Sequence, residues 1–495
     1  MESPMNNIFL SLVTFTVLLD SLVQGDLKVL NFTQKLDHSG FNDEISNLTF
    51  QQRLLVDDSQ WGGAGAPIFV LFGGENGQTF SPKEYGILGL SATEFKAMLV
   101  NIQHRFYGDS VPLGSIDLAM ADDRVRRFLA TDQTLQDYAV IIESVKANYS
   151  AGNSPVIVVG MGYAGALAIW FRLKYPEITI GALASSTPLM YYGNSTPGDG
   201  YCSIVSKDFQ DYNSQCYKSI SKSRKLYDDI ASQPNGLAHL SHIFNTCRPL
   251  QSADEITYLL AQVYSFRAQY DGPNHMALNS ICHFINNEGG SIQGFVSTLY
   301  QALDADEGCF DNTLLEVNSP FEPPSNLTMA WAWQRCTELI FPIGCTDTTM
   351  LPAKPFDMTQ FTASCQKRFG VVPQPNTPIS FFKARNIVES LTGFGGNIIF
   401  SNGLRDPFCS GGILENLSKT IVAITSDEGS YTWDMNTIDE ENDPKWLKEK
   451  REEELEIFRH WINNFHHISI GFKLSCCTFI VYFLEVLVFG FMYIS

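Results

Sequence analysis

Six short apolar runs, separated by helical patterns, constrain the fold of this chain more than any other feature of its sequence. Each run is apolar at consecutive positions, which is typical of a strand buried on both faces of a mostly parallel sheet. Helical patterns lie between the runs, for example over residues 134–148 and 165–175. This alternation of strands and helices predicts an α/β protein. The six runs are residues 67–72, 98–102, 155–159, 178–184, 397–400 and 420–425.

The alternation stops over residues 191–385, where the sequence is polar, rich in cysteine and helical only in patches. We therefore predict an α/β domain formed by residues 26–190 and 386–463 and split by a large, mainly helical, disulfide-stapled cap insertion. The nine cysteines of this region would leave one unpaired if the others form disulfides, and the sequence does not determine which cysteines pair. No spacing of Cys and His resembles a zinc site, so we expect no metal. The nine are Cys202, Cys216, Cys247, Cys282, Cys309, Cys336, Cys345, Cys365 and Cys409.

Residues 1–25 are typical of a secretory signal peptide. Residues 8–19 form an uncharged apolar run that is short for a membrane span, and the small residue Gly25 is the expected cleavage site. A buried strand or helix is the alternative, because no Lys or Arg precedes the apolar run. Glycosylation sequons also indicate a secreted protein. They lie at Asn31, Asn47, Asn148, Asn194, Asn326 and Asn416.

Residues 474–494 form a hydrophobic C-terminal tail that is long enough to cross a membrane. Glu485 lies near its middle, where a carboxylate costs a few kcal/mol on insertion. Three interpretations stay open: a transmembrane segment, a cleaved lipid-anchor signal, or an extension that is not native to the protein. Residues 443–463, which precede the tail, predict an amphipathic helix that ends the fold.

The chain is strongly acidic, with 53 Asp and Glu residues against 33 Lys and Arg residues and a formal net charge of −20. Such a surface repels phosphate backbones, so we expect no nucleic-acid partner. The acidic balance fits an acidic secretory compartment, where protonation of carboxylates lowers the self-repulsion.

A strand, a glycine-rich turn and a helix follow one another over residues 156–176. Gly160, Gly162 and Gly165 fit the G-x-G-x-x-G pattern of dinucleotide-binding folds. In those folds the next strand ends in an acidic residue that holds a ribose, whereas here it ends at residues 185–187 with Ser-Ser-Thr. We therefore expect no cofactor.

The same turn has the shape of the nucleophile elbow G-x-S-x-G, in which the central serine attacks a carbonyl. Here the central position is Gly162, which adopts such a turn easily but has no Oγ. No other G-x-S-x-G occurs in the chain.

Several ordered motifs resemble those of the proline-specific serine exopeptidases, a family that includes carboxypeptidases and dipeptidyl peptidases. The resemblance implies an α/β-hydrolase fold with a cap, a Ser-Asp-His triad and proline-containing peptides as ligands. It extends from about Phe32 to Ile462. The motifs are FTQKLDH at residues 32–38, PIFVLFGGENG at 67–77, QHRFYG at 103–108, TDQTLQD at 131–137, WQRCTE at 333–338 and NGLRDP at 402–407.

The chain departs from this family at two of the three triad positions. Asp406 matches the acid, but Gly162 stands at the nucleophile position. The family's late G-A-H-H-L-D-L reads GSYTWDM here, at residues 429–435, so Tyr431 stands at the histidine position. An α/β hydrolase needs its histidine after the acid, and none of the later histidines is well placed to be the base. These are His460, His466 and His467.

Binding positions are retained better than catalytic ones. The backbone N–H of Tyr163 could act as an oxyanion donor beside the turn at Gly73 and Gly74. The resemblance implies that Glu75 could hold a peptide N-terminus, and the alternative is a structural acid in a turn. Phe408 replaces a tryptophan of the family, which reshapes the proline pocket.

The leading hypothesis is a catalytically inactive homologue in the secretory pathway, either extracellular or in a lysosome or vacuole, that binds peptides or a partner. The resemblance implies that Cys409 is the unpaired cysteine and that the other eight form disulfides, because the family usually has a serine near this position. The alternative hypothesis is an active exopeptidase with non-standard residues, such as Cys409 as a nucleophile, which would need a nearby base or cation. A chain that scarcely folds is the third hypothesis. Homodimer formation and membrane anchoring by the tail stay open.

Overall fold

The computed structural model describes residues 27–40, 47–75, 80–193, 198–273, 275–302, 308–310, 328–374, 386–394 and 396–492, together with residues 45, 77 and 196. Of residues 302, 328, 394 and 469–492 it describes the backbone alone. The predicted signal peptide and the sequons Asn194 and Asn326 lie outside the described residues. Asn31, Asn47, Asn148 and Asn416 are exposed.

An eight-stranded sheet forms the centre of the protein, in the strand order β1-β2-β4-β3-β5-β6-β7-β8. β2 is antiparallel to β1 and β4, and all other neighbours are parallel. The six predicted apolar runs form β3 to β8. The strands are β1 (Leu27–Lys35), β2 (Thr49–Asp57), β3 (Ile68–Phe72), β4 (Met98–Ile102), β5 (Val156–Met161), β6 (Gly181–Ser185), β7 (Ile398–Gly403) and β8 (Ile421–Ser426).

Helices cover both faces of the sheet. On one face, β3 side chains such as Val70 pack with α4, α5 and α14; on the other, β3 side chains such as Leu71 pack with α1 and α15. This three-layer arrangement is the predicted α/β-hydrolase fold. The helices are α1 (Gly86–Phe95), α2 (Ile116–Ala121), α3 (Asp123–Arg126), α4 (Thr131–Asn148), α5 (Tyr163–Lys174), α6 (Gly200–Tyr212), α7 (Ser214–Ala231), α8 (Gly236–Ile243), α9 (Asp254–Gln269), α10 (Met276–Asn287), α11 (Ile292–Ala302), α12 (Thr328–Thr337), α13 (Met358–Phe369), α14 (Ile387–Phe394) and α15 (Lys445–Met492).

Helices α6 to α13 lie in the chain between β6 and β7, over the segment predicted to form the cap. Helices α6 to α11 share a hydrophobic core of their own, which includes Phe209, Tyr264 and Phe295. We refer to this helical segment as the cap; its exact bounds, 191–385, remain a prediction. The eight expected cysteines form four disulfides, and Cys409 is a buried free thiol. The pairs are Cys202–Cys345, Cys216–Cys282, Cys247–Cys309 and Cys336–Cys365.

The C-terminal helix α15 packs on the sheet through Leu455, Phe458, Trp461 and Ile462, which are all buried. The hydrophobic tail, residues 474–494, lies where the structure describes at most the backbone. Among the described residues, no helix combines the length and the apolar character needed to cross a membrane.

A fully buried ion pair connects three of the family-like motifs. The Arg105 guanidinium donates from Nε and Nη2 to the two carboxylate oxygens of Asp137, at 2.6 and 2.7 Å. Its Nη1 also donates to the Leu36 and Phe128 carbonyls, and His38 Nε2 lies 2.8 Å from Asp137 Oδ1. The pair therefore ties the end of β1, the end of β4 and helix α4 together. These motifs stabilise the scaffold on which the site is built.

Candidate active site

The turn between β5 and α5 has the geometry of a nucleophile elbow. Gly162 has φ 53° and ψ −119°, a backbone conformation that strains any residue with a side chain. Its N–H donates to the Ser185 carbonyl at 3.0 Å, which fixes the turn against β6. The neighbouring glycines are required by packing, because a Cβ on Gly160 would overlap the Ala164 carbonyl and one on Gly165 would overlap Thr187 Oγ1. The turn therefore has the backbone geometry of an elbow, and Gly162 at its centre carries no side chain.

Tyr431 occupies the space in front of this turn. An ideal Cβ on Gly162 would overlap the Tyr431 phenol oxygen and lie 3.5 Å from its Cζ. The Tyr431 N–H donates to the Gln269 carbonyl of the cap at 3.1 Å, and its ring packs edge-on against Tyr270 with centroids 5.3 Å apart. Burial raises the pKa of Tyr431 well above the usual range of a phenol, so the hydroxyl stays protonated. The residue at the histidine position thus fills the place where a serine side chain would begin.

Asp406, at the predicted position of the triad acid, makes no hydrogen bond to an imidazole within the described part of the chain. The side chain is fully buried, and Oδ1 accepts the Phe408 N–H at 3.0 Å. Oδ2 is buried without a hydrogen-bond partner among the described residues. Burial raises the pKa of Asp406 to about 7, and the Phe408 N–H and the nearby Ser186 hydroxyl offset this only partly. In a working triad the acid would orient and stabilise the histidine.

Neither the histidines that follow Asp406 in the chain nor His104 supplies a replacement base at the elbow. His460 and His467 are exposed on α15, His466 is half-buried there, and His460 Nε2 lies 2.9 Å from the Asn464 side chain. His104 is fully buried beside α5, where its Nδ1 lies 2.6 Å from the Arg105 carbonyl and its Nε2 3.2 Å from the Tyr163 hydroxyl. Burial lowers the pKa of His104 to about 4, so the ring is neutral and serves packing.

The residues predicted to form an oxyanion region lie next to one another. Tyr163 is the first residue of α5, and its backbone N–H makes no hydrogen bond within the part of the chain that the structure describes. A Cβ on Gly74 would lie 3.6 Å from the Ala164 nitrogen, so the turn after β3 packs against the first turn of α5. The Gly73 N–H is not available to a ligand, because it donates to the Ile102 carbonyl at 2.8 Å. The Tyr163 N–H is therefore a candidate donor in the described part of this region.

Glu75 is a half-buried carboxylate without a cationic partner among the described residues. Burial raises its pKa above the usual value for glutamate. Its charge in turn contributes to the raised pKa of several surrounding phenols. These belong to Tyr107, Tyr163, Tyr192, Tyr270 and Tyr431. Among the described residues, the Glu75 carboxyl group therefore has several phenol rings and no cation near it.

Phe408 belongs to an aromatic cluster beside Tyr431. Its ring centroid lies 5.0 Å from that of Tyr201, 6.1 Å from that of Phe341 and 6.2 Å from that of Tyr431. Phe341 also packs against Tyr192, at 4.8 Å. Flat apolar rings of this kind suit the ring of a proline. The sequence alone pointed to Phe408 but not to Tyr270, Tyr192 or Phe341, because their proximity depends on how the cap folds over the sheet.

Cys409 is poorly suited to nucleophilic attack. It is buried, and its Sγ lies 3.7 Å from the Leu404 carbonyl. Burial and the nearby Asp406 raise the pKa of the thiol above its usual range, so it stays protonated.

Comparison with known proteins agrees with the geometry. The profile of the family described as Serine carboxypeptidase S28 matches residues 34–454. Lysosomal Pro-X carboxypeptidase of Homo sapiens is 32% identical over 459 residues, which cover 90% of either chain. Thymus-specific serine protease of Mus musculus is 24% identical over 451 residues, 84% of either chain. Among solved structures, proline iminopeptidase of Mycobacterium smegmatis matches 88% of this chain and 99% of its own, with 10% identity and a TM-score of 0.34.

Proposed function

Because the chain belongs to the serine carboxypeptidase S28 family, we propose that it is a catalytically inactive member that binds proline-containing peptides. One observation carries this proposal: the Tyr431 hydroxyl stands where the side chain of the nucleophile would begin. Tyr431 also stands at the predicted position of the histidine base. One side chain therefore occupies the places of the nucleophile and of the base.

The loss of chemistry is expected to be nearly complete. In related triads, removal of the serine or of the histidine lowers the catalytic rate about as much as removal of the whole triad. The remaining rate is roughly a thousandfold above that of the uncatalysed reaction in water. Because its pKa is raised, the Tyr431 phenol stays protonated and does not replace the serine as a nucleophile.

Peptide binding is supported by the parts of the cleft that do not take part in bond cleavage. The Tyr163 N–H can donate to a peptide carbonyl, and the partly exposed Phe408 ring offers an apolar contact to a proline ring. Glu75, with a raised pKa and no cationic partner among the described residues, suits the terminal amine of a peptide. Aromatic rings around such an ammonium group would add cation–π attraction.

The test of this proposal is a binding measurement that depends on the terminal amine. A peptide that begins Xaa-Pro is expected to bind about tenfold more tightly with a free N-terminus than after N-acetylation, because only the amine can pair with Glu75. Titration calorimetry on the wild-type protein checks this. In the Glu75→Gln variant the two forms should bind equally, whereas Glu84→Gln, which changes an exposed carboxyl, should behave as wild type. Equal affinity in the wild-type protein, or no binding of either form, would contradict the proposal.

We place the protein in an acidic part of the secretory pathway, such as a lysosome or vacuole. Its disulfides and the lysosomal relatives are consistent with a secretory-pathway or lysosomal protein. The acidic net charge and the buried carboxyl groups support the acidic compartment over the extracellular space.

The stability of the fold is expected to fall as the pH rises from 6 to 8. Burial raises the pKa of Asp406 and Glu338 to about 7 and that of Asp208 to about 8. Near neutral pH the folded state therefore binds more protons than the unfolded state. Each unit by which the pH rises then lowers the free energy of unfolding by up to about 1.4 kcal/mol per group. His104, with its pKa lowered to about 4, acts in the opposite direction only below about pH 6.5.

Thermal unfolding across this range measures the effect, and we expect the midpoint to be several degrees lower at pH 8 than at pH 6. Glu338→Gln should flatten the dependence. A midpoint that rises with pH would show that these carboxyl groups are not protonated in the folded protein.

A further inference from the structure

The helical cap contains a cavity of about 180 Å³, which we call the cap cavity. It lies between α7, α9 and the segment of residues 347–353, and the residues at the elbow and at the triad positions do not line it. Protein interiors are close-packed, so a space of this size needs an explanation. In another protein, an apolar cavity of about 150 Å³ holds a benzene molecule. The cap cavity therefore has room for a ring with one or two small substituents.

The walls of the cap cavity are fixed by covalent and backbone contacts. The Cys202–Cys345 disulfide joins the start of the third wall segment to α6. Cys345 and Lys354 exchange two backbone hydrogen bonds of 3.0 Å, which close this segment into a loop. Within the loop, the Met350 N–H donates to the Ser206 hydroxyl of α6 at 2.8 Å. The space is therefore part of the folded cap, and a ligand would enter it with little ordering of the protein.

Apolar side chains line much of the buried part of the cap cavity. Two hydroxyl groups on this wall, those of Ser223 and Thr257, already donate to carbonyls of their own helices, at 2.8 and 3.1 Å. Both hydroxyl oxygens can still accept a hydrogen bond from a ligand. The buried apolar residues of the wall are Ile220, Leu260, Ala261, Met350 and Leu351.

Tyr264 on α9 adds a buried hydroxyl that lacks a partner. The residue lines the cap cavity and is only 2% exposed, and its hydroxyl makes no hydrogen bond within the described part of the chain. Burial raises the pKa of this phenol well above its usual range, so the hydroxyl keeps its proton and can donate. Because a buried hydroxyl without a partner is costly, a ligand oxygen that accepts from it would be favoured.

The charged side chains of the cap cavity belong to its mouth. Arg224 and Asp347 line the cavity but are exposed, and Arg224 pairs with Asp254 at 3.1 Å. A charged group deep in the cavity would lose its hydration, and the buried lining residues offer it no counter-charge. The interior therefore suits an uncharged ligand.

We propose that the cap cavity binds a small uncharged ring compound that carries one hydroxyl or carbonyl oxygen. The ring fills the apolar part of the cavity, and the oxygen accepts the hydrogen bond of Tyr264. This is a second binding site, separate from the peptide cleft, and it does not depend on the proposed function.

The test uses three probes of similar size on the full-length protein, with affinities from ligand-observed NMR titrations. p-Cresol has both the ring and the oxygen, p-xylene has a methyl group in place of the hydroxyl, and benzoate carries a charge. We expect p-cresol to bind about fivefold more tightly than p-xylene, which is the effect of one hydrogen bond. Benzoate should bind at least about tenfold more weakly than p-cresol, because its charge would be buried without a partner.

Three variants assign the binding to this cavity. Tyr264→Phe should remove the preference for p-cresol over p-xylene and keep the fold, because it deletes only a hydroxyl without a partner among the described residues. Ala261→Met should fill the space and weaken the binding of both compounds about tenfold or more. Ser265→Ala is the matched control. It deletes another buried hydroxyl without a described partner, next to Tyr264 on α9 but outside the cavity wall, and should leave the preference intact.

Each outcome supports or overturns the proposal. No saturable binding of p-cresol by the wild-type protein would overturn it, because the cavity would then hold water only. Binding that survives Ala261→Met in a variant that still unfolds cooperatively would place the probe elsewhere, for example in the peptide cleft, and would overturn it too. If Ala261→Met does not fold, Tyr264→Phe decides the matter: loss of the p-cresol preference supports the proposal, and an unchanged preference contradicts it. The peptide-binding proposal stands or falls separately.

Discussion

The double variant Gly162→Ser/Tyr431→His is expected to cleave proline peptides about a thousandfold or more faster than the wild-type chain. The serine would restore the nucleophile on an elbow whose backbone already has the required turn. The histidine would restore the base close to Asp406, whose charge already acts on the side chain at this position. Removal of the tyrosine also clears the space that the serine side chain needs. A complete triad contributes about a millionfold in related enzymes, so a partial recovery is measurable.

The single variants are the controls for this result. Gly162→Ser alone should stay inactive, because its side chain would overlap the Tyr431 hydroxyl and no base is present. Tyr431→His alone should stay inactive because it has no nucleophile. Addition of Asp406→Ala to the double variant should remove most of the gained rate. Activity in either single variant would show that this account of the cleft is wrong.

Asp137→Ala is expected to lower the free energy of unfolding by about 3–5 kcal/mol, the cost of leaving one partner of a buried ion pair without the other. Arg105 and Asp137 are both fully buried, and the guanidinium would keep only its backbone carbonyl acceptors. Urea denaturation monitored by circular dichroism measures the change.

The matched control is Asp211→Ala, which removes an exposed partner of Lys207 and should change the stability very little. A similarly small effect of Asp137→Ala would show that the Arg105 ion pair does not hold the scaffold together.

Much of the fold could be predicted from local patterns, and the remainder depends on contacts between distant segments. The strands β3 to β8 were predictable because they are apolar on both faces. The strands β1 and β2 were not, because they mix exposed polar with buried apolar positions at the edge of the sheet. The disulfide pairing could not be predicted either, since Cys202 and Cys345 are separated by 143 residues and come together only in the folded cap.

The sequence proposed residues for the candidate site but could not give their geometry. The motifs placed Gly162, Asp406 and Tyr431 at the triad positions. They did not show that the Tyr431 hydroxyl would fill the space of the nucleophile, because the two residues lie on loops far apart in the chain. Nor did they show Tyr270 beside Tyr431, since this contact depends on the cap loop that is bonded to Ser430 and Arg405.

The most direct test of the central claim is an assay of the wild-type chain with proline-peptide substrates and an active-site serine probe. We expect no labelling by the probe and no turnover above that of the Asp406→Ala variant. The reason is that Gly162 and Tyr431 stand at the predicted positions of the nucleophilic serine and the histidine base. Specific turnover by the wild-type chain that Asp406→Ala abolishes would contradict the claim that this cleft binds peptides without cleaving them.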